Sequence, residues 1–143
     1  FGEGMEERWS AVLPRLAATT GRALCMGLHF LGGTVIALLG VLQLIPASRT
    51  PRWLPWHRCC GRVYVVCSVA ASLGGLGFIA QERVLVGGLS MTVSFSLYGL
   101  LVLVTAVQAW RTARRHDVDA HRRWALRTFS LGIASYLYRG YFF

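Results

Sequence analysis

The sequence predicts an all-α integral membrane protein, a bundle of four transmembrane helices in up-down-up-down order. Of its 143 residues, 55% are hydrophobic and only 15% are charged, whereas about a quarter of the residues of a soluble domain are charged. Its apolar runs have the length that crosses a bilayer core, roughly 20 residues. Because lipid offers no partner to backbone polar groups, each run is expected to form a helix.

The order of the elements follows from the alternation of apolar and polar segments. Pro46 ends the first apolar run. Pro55 suits the first turn of the second helix, because its missing N–H would have had no partner there. Asp117 or Asp119 can cap the fourth helix. The prediction is an interfacial segment and four helices, at residues 1–22, 23–45, 55–80, 89–110 and 119–141. Short connections force consecutive helices to reverse direction.

The basic residues, all of them arginine, indicate the orientation in the membrane. We assign most of them to two arginine-rich loops, the first and the third, whereas the second loop holds only Arg83. The first loop has Arg49, Arg52, Arg58 and Arg62, and the third has Arg111, Arg114, Arg115, Arg122, Arg123 and Arg127. The positive-inside rule then places both on the cytoplasmic, matrix or stromal side. A net charge of +9 is also typical of nucleic-acid binding, but arginines placed between apolar runs favour a membrane role.

A short repeat lies where the second and fourth helices are expected to begin. WHRCCGRVY (56–64) and AHRRWALRTF (120–129) each contain a His-Arg pair followed by further basic and aromatic residues. Each copy follows an apolar helix and a basic segment. The repeat is therefore interpreted in one of two ways. It reflects two tandem helical hairpins, or it is a chance similarity between segments with the same topology.

The repeated segments are candidate anion-binding sites. A helix N-terminus favours anions through its unpaired N–H groups and its dipole. Arginine adds bidentate donors for phosphate or carboxylate. The candidate residues for an anionic lipid headgroup are His57, Arg58, Arg62, His121, Arg122 and Arg127. The alternative is that these arginines only fix the topology.

Several motifs together resemble an uncharacterised family of predicted membrane proteins, domain of unknown function 2306. They are HRCCGRVY (57–64) and HRRWALR (121–127), preceded by His29 and followed by Arg139. The resemblance extends from about residue 28 to residue 139, and Ala125 departs from the methionine that is usual there. It implies a helical protein with several spans and no particular activity.

Histidines in a helical bundle raise the possibility of a haem or pigment ligand. A bis-histidine haem b needs two imidazoles at the same depth on different helices. His57 and His121 satisfy this at the basic end, whereas helix rise separates His29 from them by roughly 20–25 Å. His29 is interpreted as a neutral side chain bonded to a neighbouring helix, or as a single axial ligand to a pigment or a quinone contact.

Small residues and a possible ion pair predict how the helices pack. Glycines allow helices to approach closely in membranes. Those expected at helix contacts are Gly32, Gly33, Gly74 and Gly77. Glu82 and Arg139 are expected near the other end of the bundle, where they form an ion pair or where Arg139 extends to water.

No metal-binding spacing, nucleophile–base pair or cofactor fingerprint occurs in the sequence. We therefore expect a non-catalytic accessory or structural subunit that packs against other integral membrane subunits and binds membrane lipids with anionic headgroups. Two alternatives stay open: a haem-binding electron carrier using His57 and His121, and a small transporter or lipid-handling protein.

Overall fold

The computed structural model describes residues 20–82 and 88–141, apart from the side chains of residues 47, 48 and 138–141. Four long helices and one 3-10 turn form this part of the chain, which confirms the all-α prediction. Most of the predicted interfacial segment lies outside the described residues. The helices are α1 (Thr20–Leu44), α2 (Leu54–Glu82), α3 (Gly88–Arg114) and α4 (Val118–Tyr141), and the 3-10 turn Pro46–Arg49 lies between α1 and α2.

Three of the four helices, α1, α2 and α3, are long and apolar enough to cross a membrane. The fourth helix exists as predicted and packs in the bundle, but it does not reach the same apolar content over its described length. Its first three turns hold His121, Arg122, Arg123 and Arg127. Full crossing by α4 therefore stays a prediction.

Helices α1 and α2 pack against each other in opposite directions along most of their length. Near one end, the Arg22 side chain of α1 meets Glu82 of α2. Near the other end, the Gln43 side chain bonds to the backbone oxygen of His57. Between these two points, a Cβ on Gly32 would lie 2.8 Å from the Cys67 oxygen, so the absence of a side chain permits the close approach.

The remaining contacts join α3 to α2 and α4, and α4 to α1. The Tyr98 hydroxyl of α3 donates to the Leu131 backbone oxygen of α4. The Tyr136 hydroxyl of α4 donates to the Gly33 oxygen of α1. These contacts place the end of α1, the start of α2, the end of α3 and the start of α4 at one end of the bundle. The up-down-up-down order in the membrane stays a prediction.

Small side chains fill the interior, whereas large apolar side chains face outward. Ser68, Thr128 and Ala106 are buried almost completely. The two hydroxyls bond to backbone oxygens one turn earlier in their own helices, so they need no partner across the interface. Leu31 and Leu137 are about 70% exposed. Close packing of small residues with outward leucine is the arrangement expected where lipid surrounds the helices.

The two arginine-rich loops of the prediction are mostly helix. Arg58 and Arg62 lie in α2, and Arg111 and Arg114 lie in the last turn of α3. Arg115 lies in the connection, and Arg122, Arg123 and Arg127 lie in α4. Only residues 115–117 connect α3 to α4. The helices are longer than the apolar runs that predicted them. Backbone hydrogen bonding continues through charged residues, because water or headgroups solvate their side chains.

Candidate functional site: the basic end of the bundle

The basic end is defined by the ten arginines between Arg49 and Arg62 and between Arg111 and Arg127, with His57 and His121. It begins where α1 turns into α2. Arg49 donates to the Leu44 backbone oxygen at the end of α1. The N–H groups of Trp53 and Leu54 both bond to the Thr50 oxygen. These bonds close the connection and fix where α2, and therefore His57, begins.

The turn between α3 and α4 is held by two backbone bonds and one side-chain cap. The N–H of Asp117 bonds to the Thr112 oxygen, and the N–H of His116 bonds to the Ala113 oxygen. This pair of hydrogen bonds is typical of a helix C-terminus at which one residue adopts a left-handed backbone conformation. His116 is that residue, with φ 58°. The Asp117 carboxylate then accepts the N–H of Ala120 at 2.9 Å. Asp117 is therefore the cap of α4, as one of the two predicted alternatives had it.

The arginines of the basic end project outward. Arg58, Arg62, Arg122 and Arg127, which were all predicted to bind anions, are exposed. Among the described residues, none of them forms an ion pair with a carboxylate. Asp117 and Asp119 are the only acidic residues in this part of the chain. The basic end therefore carries a large uncompensated positive charge.

Tryptophan side chains lie against three of these guanidinium groups. The Arg127 carbon Cζ is 4.5 Å from the centre of the Trp124 ring, and Arg114 and Arg52 stack less closely, on Trp110 and Trp53. Trp53 and Trp56 are exposed. Tryptophan prefers the membrane–water boundary, and its ring holds a guanidinium in place through a cation–π interaction.

The two hairpins of the sequence repeat are closed by different hydrogen bonds. In the first, the Gln43 side chain donates to the His57 backbone oxygen at 3.2 Å. In the second, Nδ1 of His121 lies 2.9 Å from the Ala109 backbone oxygen. The side chain that closes the hairpin is therefore on the first helix in one copy and on the second helix in the other.

His57 and His121 lie close enough to interact electrostatically. A cavity of about 310 Å³ lies beside His57, and none of its lining comes from α4. Its lining residues are Leu42, Gln43, Ile45, Trp53, Trp56, His57 and Cys60. The structure thus brings the two predicted haem ligands to the same end of the bundle, and His57 is the one of the two that lines this cavity.

His29, the third candidate ligand, lies far from the basic end. Its Nδ1 atom is 2.9 Å from the Ala71 backbone oxygen. Ala71 follows His57 by fourteen residues of α2, or roughly 21 Å of helix rise. The structure therefore shows the hydrogen bond to a neighbouring helix that was one of the interpretations of His29.

The glycines contribute unequally to the helix contacts. Gly32 and Gly74 lie where α1 and α2 are closest, and a Cβ on Gly77 would lie 3.0 Å from the Cys25 sulfur. Gly33 lies against the Tyr136 hydroxyl. Gly40 was missed: a Cβ there would be 3.0 Å from the Phe129 ring. No sequence signal connects Gly40 to a residue 89 positions later.

Glu82 has a partner on α1 that the sequence did not predict. Its carboxylate lies 3.2 Å from Nε of Arg22, and the Glu82 side chain is 5% exposed. The predicted partner, Arg139, lies outside the described side chains. The sequence does not indicate Arg22 as a partner, because Arg22 precedes the apolar run that predicts the first helix.

The family model of domain of unknown function 2306, described as a predicted membrane protein, matches residues 26–143. The chain belongs to this family. The match covers all four histidines and both His-Arg segments, and it confirms the resemblance inferred from those motifs. Neither the comparison with curated proteins nor the comparison with solved structures found a match. The family establishes a membrane protein and leaves its activity open.

Proposed function

We propose that this member of the family is a non-catalytic integral membrane subunit whose basic end binds anionic lipid headgroups. The observation that carries the proposal is the group of exposed arginines at the starts of α2 and α4, without carboxylate partners among the described residues. A phosphate beside them would compensate their charge. Tryptophans at the same end supply the ring surface that prefers the headgroup layer.

Two features of the basic end attract a phosphate: the charge of its arginines and the dipoles of the helices that begin there. Each arginine near an anionic membrane surface contributes about 1 kcal/mol to membrane association. The N-termini of α2 and α4 add their dipoles, which favour an anion. Arg58 and Arg122 are each the fifth residue of their helix, about one turn from the N-terminus.

Arginine substitution tests the lipid preference. The purified full-length protein is reconstituted in nanodiscs or detergent with phosphatidylglycerol or phosphatidylcholine, and retained lipid is counted by native mass spectrometry. The pair Arg58→Gln and Arg122→Gln is expected to reduce the preference for phosphatidylglycerol about thirtyfold, because two lost charges correspond to about 2 kcal/mol. Arg58→Lys with Arg122→Lys retains the charge and should retain most of the preference. An unchanged preference in the glutamine variant would rule out the proposal.

The subunit role rests on the apolar outer faces of the helices. Leu31 on α1, Leu89 on α3 and Leu137 on α4 are each about 70% exposed. Such faces pack against lipid or against helices of another membrane subunit. Cross-linking in intact membranes, followed by mass determination, is expected to give a defined larger species. Migration only as the single chain would contradict the subunit role and leave the lipid preference to its own test.

A second candidate function, haem binding, is favoured by the environment of His121. Its Nδ1 faces the Ala109 backbone oxygen, which is the type of partner that orients a histidine ligand and leaves Nε2 for a metal. Reconstitution with haem followed by absorption spectroscopy is the test. A Soret band that disappears in His121→Ala and in His57→Ala would favour an electron carrier over the lipid-binding subunit. A spectrum identical to that of free haem would exclude it.

A further inference from the structure

A second cavity lies inside the bundle, away from the basic end. It has a volume of about 100 Å³ and lies where α1, α2 and α4 meet. Ile36 and Ala37 of α1 and Phe129, Gly132 and Ile133 of α4 form its walls together with Tyr64 of α2. None of the described residues that line it is charged. Its volume exceeds what one water molecule needs, which is about 10–15 Å³.

The Tyr64 hydroxyl is the polar group of this cavity that lacks a partner. Tyr64 is 7% exposed, and its hydroxyl has no hydrogen-bond partner among the described protein groups. A Cβ on Gly132, which lines the cavity, would lie 3.8 Å from this hydroxyl. The other tyrosine at the cavity, Tyr136, already donates its hydroxyl to the Gly33 oxygen. Burial of an unpaired hydroxyl is unfavourable, so Tyr64 is expected to have a partner that enters the cavity.

We propose that the Tyr64 hydroxyl donates a hydrogen bond to the carbonyl oxygen of a lipid-soluble molecule that enters between α1 and α4. An uncharged apolar wall excludes ions and favours an occupant from the membrane. Entry between α1 and α4 is possible because these helices contact each other less than the other neighbouring pairs do. The exposed side chains of Ile133 and Tyr136 mark this opening.

Two common membrane constituents carry such a carbonyl: the glycerol ester of a phospholipid and the ring of a quinone. Tyr64 follows Arg62 by two residues, or roughly 3 Å of helix rise. A phospholipid whose phosphate lies at the arginines would therefore place its ester near the depth of Tyr64. In that case the inference deepens the proposed lipid binding, whereas a quinone would be independent of it.

Tyr64→Phe removes the hydroxyl and keeps the ring, so it isolates this hydrogen bond. Three probes are titrated onto full-length protein: diacyl phosphatidylglycerol, its dialkyl ether analogue and decylubiquinone. The ether analogue has the same headgroup and chains but no carbonyl. We expect the ester or the quinone to bind the unmodified protein about fivefold more tightly than Tyr64→Phe, the effect of one neutral hydrogen bond. The ether lipid should bind both proteins equally.

The control variants separate the hydroxyl from general effects. Tyr98→Phe removes a hydroxyl that bonds to Leu131 outside the cavity lining, and it should leave the affinity ratios unchanged. Gly132→Ala adds a methyl group inside the cavity and should weaken the same probe that Tyr64→Phe weakens. Equal binding of both carbonyl probes to the unmodified protein and Tyr64→Phe would overturn the proposal. So would an equal loss of ester and ether lipid. All these variants retain the arginines of the basic end. A loss of the Tyr64 hydrogen bond can therefore be distinguished from a loss of headgroup binding.

Discussion

Nδ1 of His29 and the backbone oxygen of Ala71 lie 2.9 Å apart, which joins the first half of α1 to the middle of α2. The imidazole fits there because residue 75 is glycine: a Cβ at that position would lie 3.0 Å from Nδ1 of His29. An ionisable side chain within a span usually marks a functional or packing position. Here its contacts give it a role in joining two helices.

We expect Gly75→Ala to lower the free energy of unfolding by about 1 kcal/mol, because the new methyl group displaces the imidazole from its hydrogen bond. In a His29→Ala background, the same change should be neutral or slightly stabilising, since alanine favours helix. Unfolding by SDS titration of mixed micelles, arranged as a double-mutant cycle, measures the coupling. Additive effects of the two changes would show that His29 and Gly75 do not act together.

Gly74 and Gly27 offer a matched comparison of glycines in contacting helices. A Cβ on Gly74 would lie 2.9 Å from the His29 backbone nitrogen, whereas a Cβ on Gly27 would have nothing within 4 Å. Gly74→Ala is therefore expected to destabilise the protein by about 1–3 kcal/mol through overpacking. Gly27→Ala should be neutral or stabilising by up to about 1 kcal/mol. The same micelle titration measures both, and equal effects would mean that α1 and α2 are farther apart than described.

The number of helices, their approximate ends and the grouping of basic residues could be predicted because each depends on local composition. Partners across the bundle could not. Gly40, for example, lies against Phe129, and no local pattern distinguishes it from Gly27, which has open space. Arg22 was assigned to the interface because it is charged, although its ion pair with Glu82 allows it to lie within α1.

The ion pair of Arg22 and Glu82 predicts how the removal of one charge or of both charges changes the free energy of unfolding. The Glu82 side chain is 5% exposed and the Arg22 side chain is 23% exposed. Arg22→Gln leaves a buried carboxylate without this cation and is expected to cost about 1–3 kcal/mol of unfolding free energy. Adding Glu82→Gln should recover much of that loss, because removal of both charges removes the desolvation penalty. SDS titration of the single and double variants in mixed micelles measures these changes. A double variant that is less stable than Arg22→Gln would contradict the prediction.

At the basic end, too, the features that depend on local sequence could be predicted, whereas those that depend on packing between helices could not. Asp117 could be named as one of two candidate helix caps, together with Asp119, because aspartate is one of the preferred capping residues. The end of α3 could be predicted only approximately, because glycine is the usual residue after a helix and His116 occupies that position. Likewise, the sequence indicated that His57 and His121 lie at one end, but the separation of the cavity beside His57 from His121 depends on how α1 packs against α2.

His116 adopts a backbone conformation that favours glycine, with φ 58°. His116→Gly is therefore expected to stabilise the turn between α3 and α4 by up to about 1 kcal/mol, because glycine adopts positive φ without a steric penalty. His116→Val should destabilise it by a similar or larger amount, since β-branched residues are rare outliers there. Unfolding titrations of both variants measure the effect. If valine is tolerated as well as glycine, the left-handed turn is not the conformation of this connection, and the positions of Asp117 and His121 relative to α3 would differ from those described.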